Sequence, residues 1–240
     1  MYKTVIAEGI PGAGKTVFAE ELGEALTRQR REVGQRAETL FIAEADEKQG
    51  NPYLKDYYSD MSRWASTMQC QLLARRFRAH LSAQYHVMSE RGDGVLDRSY
   101  FGDVAFAKVQ RDLGFMSERE YETYKLLYHG MTSFVLYPNL CVFLDVSIDT
   151  SMERISRRMM DQHGRTCEQR ITEDYLAAVR DATLVVIDAL DRHGTKILRV
   201  YWDEDLSTPP QRRPFIDSVA QTIINHVSRR EFADIHDRLV

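Results

Sequence analysis

Gly9-Ile10-Pro11-Gly12-Ala13-Gly14-Lys15-Thr16 stands where a short apolar run, Lys3 to Glu8, gives way to a segment of helical period. The octet matches the spacing Gly-x-x-x-x-Gly-Lys-Thr residue for residue. Its flanks matter as much as its letters: a strand-like run leads in, and Val17, Leu22 and Leu26 alternate with Glu20, Glu21 and Glu24 on the way out. In a strand-loop-helix of this kind the loop amides and the helix N-terminus converge on one anion site. Gly9, Gly12 and Gly14 let the main chain approach phosphates, Lys15 reaches the outer phosphates, and the Thr16 hydroxyl sits on a magnesium ion.

Beyond the loop, short apolar runs alternate with longer segments of helical period, which predicts an α/β fold with a mostly parallel sheet. Five strands are expected, at Lys3 to Glu8, Thr39 to Glu44, Gly94 to Asp97, Leu140 to Val146 and Lys196 to Trp202. Helices are expected over Lys15 to Arg28, Arg63 to Ser89 as one long helix or a pair, and Glu118 to Leu136. One or two more fall within Ser151 to Arg192, and a last one over Pro214 to Arg230 after a loop holding Pro209 and Pro210.

Composition narrows the class. Lys and Arg number 32 against 36 Asp and Glu, a formal charge of −4, which argues against a dedicated nucleic-acid binder. A length of 240 residues and an apolar fraction of 43% suit a globular chain with its own core. Cys70, Cys141 and Cys167 are widely spaced with no Cys-x-x-Cys pair, which predicts a reducing, cytoplasmic compartment and no zinc site. Met1 to Ile6 lacks the basic and apolar regions of a signal peptide, and no apolar run approaches the ~18 residues of a membrane span. The seven histidines form no His-Glu-x-x-His pair and are assigned to neither metal nor catalysis.

A magnesium-binding aspartate is wanted at the end of an apolar strand, and Asp97 and Asp145 both qualify. Asp145 ends the better strand, Cys141 to Leu144, but a strand-end aspartate can equally cap the turn toward Ser151. Asp97 is followed by Arg98 and Ser99, and an Asp-Arg pair at a strand's C-terminal mouth can serve metal and phosphate together.

A series of further segments completes the picture: Phe41-Ile42-Ala43-Glu44, Asn51-Pro52-Tyr53-Leu54 with Tyr57-Tyr58, Arg63-Trp64, Met68-Gln69 with Arg76, Asp97-Arg98-Ser99 with Asp103, and an arginine-rich stretch ending in Glu168 and Asp174-Tyr175-Leu176. In order and in much of its spacing this series, with the phosphate loop, resembles the deoxynucleoside kinase family. The Asn-Pro-Tyr-Leu stretch and double tyrosine look most like the bacterial type that phosphorylates deoxyadenosine or deoxyguanosine. The resemblance implies a P-loop kinase fold with a five-stranded parallel sheet, flanking helices and a small arginine-rich lid. It also implies ATP and Mg2+, transfer to the 5′-hydroxyl, and a homodimer through the long helices. It selects Asp97 over Asp145 as the metal residue.

On that template Glu44 becomes the catalytic base, placed where α/β sheets hold ligands. Asp46 and Glu47 rival it, because residues 45 to 50 run about two longer than the family's usual spacing. Arg98 orients the base and bears on the transferring phosphoryl group. Gln69 and Arg76 are seven apart and share a helical face, so an amide and a guanidinium point one way and need polar partners. The expected partners are a nucleobase for Gln69, and Asp103 for Arg76, with Asp103 also accepting from an exocyclic amine. Trp64, Met68 and Phe106 are expected as apolar walls, and Tyr58 and Glu168 as partners of the sugar hydroxyls.

Arg154, Arg157, Arg158, Arg165 and Arg170 crowd one stretch, ordinarily a solvated helix face. In the family this is the lid, here about 154–172, whose Arg154, Arg158 and Arg165 close on the ATP phosphates. Met159 to His163 look inserted, and Cys167 stands in place of a usual acid. The expectation is one kinase domain over 1–240 that takes a small deoxynucleoside, purine favoured, without nucleic acid or membrane. A related kinase acting on a nucleoside monophosphate or on a modified base in DNA, and a non-catalytic nucleotide-binding regulator, stay open as alternatives.

Overall fold

The computed structural model describes residues 1–44, 51–161, 170–203, 208–227 and 231–233. Its strands are β1 (Thr4–Glu8), β2 (Leu40–Ile42), β3 (Gly94–Asp97), β4 (Leu140–Asp145) and β5 (Lys196–Tyr201). They form one sheet in the order β2-β3-β1-β4-β5 with every neighbouring pair parallel, as expected. The central strands β1, β3 and β4 are buried along their whole length, which is why they read as continuous apolar runs. Edge strand β2 is only half-buried and ends at Ile42, two residues before Glu44, so the carboxylate stands on the loop beyond the strand rather than on it.

The helices are α1 (Lys15–Glu32), α2 (Leu54–Ser59), α3 (Met61–Met88), α4 (Asp103–Asp112), α5 (Glu118–Thr132), α6 (Ile148–Asp161), α7 (Glu173–Arg192) and α8 (Pro209–Asn225). Phe18, Leu22 and Leu26 of α1 are fully buried, each such side chain adding roughly 1.5–3 kcal/mol of apolar burial. The long α3 is continuous and starts at Asp60, whose carboxylate accepts from the Arg63 amide. α5 starts on a capping box between Ser117 and Glu120 and ends four residues before the expected Leu136.

Helix α8 begins five residues earlier than expected. Pro209 and Pro210 occupy its first turn, where a missing N–H costs no helical bond, and Thr208 and Gln211 cap it. Two short helices, α2 and α4, have no counterpart in the expected series. In α4 seven of ten residues are buried, among them Asp103 and Gln110, so only Lys108, Arg111 and Asp112 mark its outer face. Asp145 also departs from both of its expected uses: it is buried and paired with Arg180 and Arg199, while Ser147 caps the start of α6 through the Thr150 amide.

Because the sheet is parallel, the C-terminal ends of β1, β2 and β3 open at one edge. The chain leaves β1 toward β2 and β3 on one side and returns to β4 on the other, the switch point at which such sheets hold ligands. Among the described residues no helix is long and apolar enough to cross a membrane.

Candidate active site

The loop between β1 and α1 turns back on itself through Gly12 (φ 81°) and Gly14 (φ 84°), both left-handed. A Cβ on Gly12 would lie 2.7 Å from the Ser151 carbonyl oxygen, so only glycine lets α6 approach this closely. Lys15 is buried at the first position of α1, its ammonium donating to the Ile10 carbonyl at 2.8 Å. Burial, with help from Arg98, lowers its pKa to about 7, against the pull of Asp97, Glu44 and Glu8.

Thr16 donates its hydroxyl to Asp97 Oδ2, while Asp97 Oδ1 is buried with no hydrogen-bond partner among the described residues. A hydroxyl and a carboxylate with one spare oxygen suit a hard, oxygen-seeking cation such as Mg2+.

Glu44 accepts from Arg98 Nε at 2.7 Å and forms a second ion pair with Arg76. Burial alone would raise its carboxyl, but Arg76 and Arg98 together hold it down to about 2. Arg98 also reaches the Gly9 carbonyl at 3.2 Å and lies over the Phe106 ring, 4.5 Å from its centroid.

Arg98 itself has φ 66°, unusual for a side chain of this size. Three hydrogen bonds hold it there: its amide donates to the Ala7 carbonyl, and Glu8 grips the next residue, accepting from Ser99 N at 2.9 Å and Oγ at 2.6 Å. Burial raises the Glu8 carboxyl, opposed by Arg98 and Ser99. Glu8 went unnoticed in the sequence because it sits one residue before the phosphate loop, where it reads as the last residue of a strand.

The expected shared face of α3 is present: Ala65, Met68, Gln69, Leu73 and Arg76 are all buried. Arg76 bridges two acids, Glu44 through Nη2 and Asp103 through Nη1. Asp103 is fully buried behind the wall, at the start of α4. Its Oδ2 takes the Gln69 amide at 2.8 Å and the Tyr124 hydroxyl at 2.6 Å. Burial raises its carboxyl, with Arg76, Tyr124 and Gln69 opposing.

These pieces line one cavity of about 500 Å3 that runs from Gly12, Gly14, Lys15 and Thr16 past Glu44 and Arg98 to Met68, Gln69, Arg76, Phe106 and Tyr58. Two expectations are corrected by it. Trp64 does not line the cavity; it packs on Tyr53 and under the Arg63 guanidinium. Asp103 does not line it either, because its carboxylate is engaged by Arg76, Gln69 and Tyr124.

Asn51, Leu54, Gln110 and Tyr175 line the cavity as well. Asn51, Leu54 and Tyr175 lay inside segments already singled out, whereas Gln110 carried no sequence signal. A shallower hollow of about 750 Å3 over α1 and β2 brings together none of the expected site residues.

From α6, Arg154 and Arg158 share the cavity wall, as their four-residue spacing implies, while Arg157 points outward to Glu153. Arg154 donates to the Trp202 carbonyl at 2.6 Å, which brings α6 against the loop that follows β5. Arg170 donates to the Ser59 carbonyl at the end of α2. Asp46, Glu47, Arg165, Cys167 and Glu168 lie outside the described residues.

A family model described as deoxynucleoside kinase matches residues 5–225. A deoxyadenosine kinase of Dictyostelium discoideum is 30% identical over 200 residues, covering 83% of this chain and 72% of the relative. A deoxyguanosine kinase of Bacillus subtilis is 28% identical over 201 residues, covering 84% and 86%. The fold superposes on a solved deoxyadenosine kinase from M. mycoides with bound dATP at a TM-score of 0.66, with 22% identity, covering 91% of this chain and 99% of that one.

Proposed function

The chain belongs to the deoxynucleoside kinase family and is a phosphotransferase acting on deoxynucleosides, and from that premise we propose that it moves the γ-phosphoryl group of ATP, with Mg2+, onto the 5′-hydroxyl of a purine deoxynucleoside. The observation that carries this reading is the place of Glu44: between the Lys15 loop and the Gln69 wall, in one continuous cavity, clamped by two arginines. The purine preference rests on the deoxyadenosine and deoxyguanosine kinases among the relatives.

In this reading the β1–α1 loop and Lys15 hold the ATP phosphates, joined by Arg154 and Arg158 from the lid side. Thr16 and Asp97 would hold the magnesium ion, which would supply positive charge to neutralise the phosphates. The base enters between Met68 and Phe106, and Tyr58 faces the sugar. Glu44 aligns the 5′-hydroxyl and accepts its proton. With its pKa held near 2, Glu44 is a weak base, which suits a loose transition state in which the proton leaves late and alignment matters most. Arg98 fixes the carboxylate and faces the transferring group.

The chain forms one kinase domain over 1–240 with its lid at about 154–172. Exposed Tyr85 and Met88 on α3, Leu126 and Leu127 on α5, and nearby Phe134 supply the apolar face of a homodimer through the long helices. The free thiols of Cys70 and Cys141 fit a reducing cytoplasm.

The test is a panel of the four deoxynucleosides, their monophosphates and the ribonucleosides with ATP and Mg2+. Deoxyadenosine and deoxyguanosine should give the highest kcat/KM. Phosphorylation of monophosphates alone, or thymidine as the best substrate, overturns the reading.

A further inference from the structure

Asp103 sets a direction of hydrogen bonding that runs through the cavity wall. Its carboxylate Oδ2 and its main-chain carbonyl are both acceptors, and both take the Gln69 side-chain nitrogen, at 2.8 and 3.1 Å. Gln69 cannot be turned the other way, since its oxygen would then face two acceptors. Its Oε1 therefore points on to Gln110, which must present its nitrogen and does so at 2.9 Å. With that nitrogen committed to Gln69, what Gln110 has left for the cavity is its carbonyl.

That carbonyl is the open end of the chain. Gln110 is 3% exposed and lines the cavity beside Met68, Gln69 and Phe106, and its Oε1 is buried with no hydrogen-bond partner among the described residues. A buried acceptor left unpaired is costly, and buried polar groups are nearly always satisfied by protein, water or ligand. Gln69 adds the second lone pair of its own oxygen, its nitrogen being committed to Asp103. The wall beside the expected base thus offers acceptors, oriented from behind by Asp103 and Tyr124.

We infer that Gln110 is a specificity-determining residue whose side-chain carbonyl accepts a hydrogen bond from an exocyclic amine of the nucleobase. This rests on the reading of the cavity as a deoxynucleoside site. It transfers amine recognition from Asp103, whose oxygens are engaged behind the wall, to a cavity-lining residue whose buried acceptor has no partner among the described residues. Asp103 becomes a positioning residue that fixes which way Gln69, and through it Gln110, must face.

The experiment compares kcat/KM within three substrate pairs that differ by one amine: deoxyadenosine and its 6-deamino analogue, deoxyguanosine and deoxyinosine, and deoxycytidine and its 4-deamino analogue. Wild type should favour the amine-bearing member of at least one pair by roughly tenfold to a hundredfold, the scale of one unpaired buried group. In Gln110→Met, similar in length but without an acceptor, that ratio should collapse toward one. Gln110→Leu, likewise without an acceptor, should behave the same way. Both variants are assayed well below their melting midpoints.

A ratio that survives in Gln110→Met and Gln110→Leu overturns the inference, as does a wild type with no preference in any pair. A purely structural role would lower both members of a pair equally and leave the ratio standing. If wild type accepts none of the six nucleosides, the reading of the cavity fails first; if deoxycytidine alone is used, only the purine preference fails and its pair still tests Gln110.

Discussion

Arg98 shows how much of this site depends on single residues outside the motif. Its left-handed backbone costs roughly 1–2 kcal/mol relative to an ordinary conformation and persists because Glu8 and Ala7 hold the turn on both sides. Glu8→Gln weakens the grip on Ser99 and should lower kcat by about tenfold or more, on the scale of a misplaced catalytic group. KM for the nucleoside should move little; unchanged kcat would show that the turn needs no such support. Glu44→Gln should keep nucleoside binding and lower the chemical rate by roughly a hundredfold or more. Asp46→Asn and Glu47→Gln should stay near wild type, and the reverse result would move the base.

The pH behaviour of Glu44 follows from its depressed folded-state value, about 2 against an ordinary 4.5. The stability from its ion pairs is complete above 4.5 and lost as pH falls toward 2, so the carboxylate adds no acid limb to kcat/KM between about pH 5 and 8. A limb in that window that disappears in Glu44→Gln would contradict this.

Among the elements, α3 carries the most legible information. The seven-residue spacing of Gln69 and Arg76 marks a polar pair on a buried face, and the helix brings both to the cavity. The phosphate loop and the β3 mouth were legible for the same reason: local spacing fixed by local backbone geometry. Helix α4 was not, because two of its five polar members, Asp103 and Gln110, are buried against α5 and α3, which leaves only Lys108, Arg111 and Asp112 to mark the outer face of a ten-residue helix. Nor could spacing show that Asp103 stands behind the wall or that Trp64 turns away; both depend on how α3, α4 and α5 pack.

The same helix predicts an acid sensitivity. His80 is buried with Nε2 3.0 Å from the Leu136 carbonyl, and burial lowers its pKa to about 4 despite that bond. A folded value below the unfolded 6.5 means that the unfolded chain takes the proton first. Stability is therefore intact above 6.5 and falls as pH drops toward 4, by an amount on the order of 3 kcal/mol. The melting midpoint should fall from pH 7 to pH 5 and do so less steeply in His80→Gln; parallel slopes would exclude His80 as the cause.

At the scale of the whole molecule, the proposed homodimer rests on the apolar residues exposed on α3, on α5 and at Phe134. Leu126 is 75% exposed and Phe134 62%, and neither belongs to the cavity-lining set. Leu126→Glu with Phe134→Glu should shift the sedimenting species to the 27.8 kDa monomer without unfolding it. A wild type that already sediments at that mass would remove the dimer. Arg76 spans the molecule in another sense, holding Glu44 with one nitrogen and Asp103 with the other. One rigid planar group thus ties the proposed base, Glu44, to the Asp103 network behind the cavity wall. On the proposed reading, a base that shifts this guanidinium also shifts Glu44, so a wrong nucleoside should be penalised in kcat as well as in KM, and discrimination should survive even when that nucleoside is abundant enough to fill the cavity.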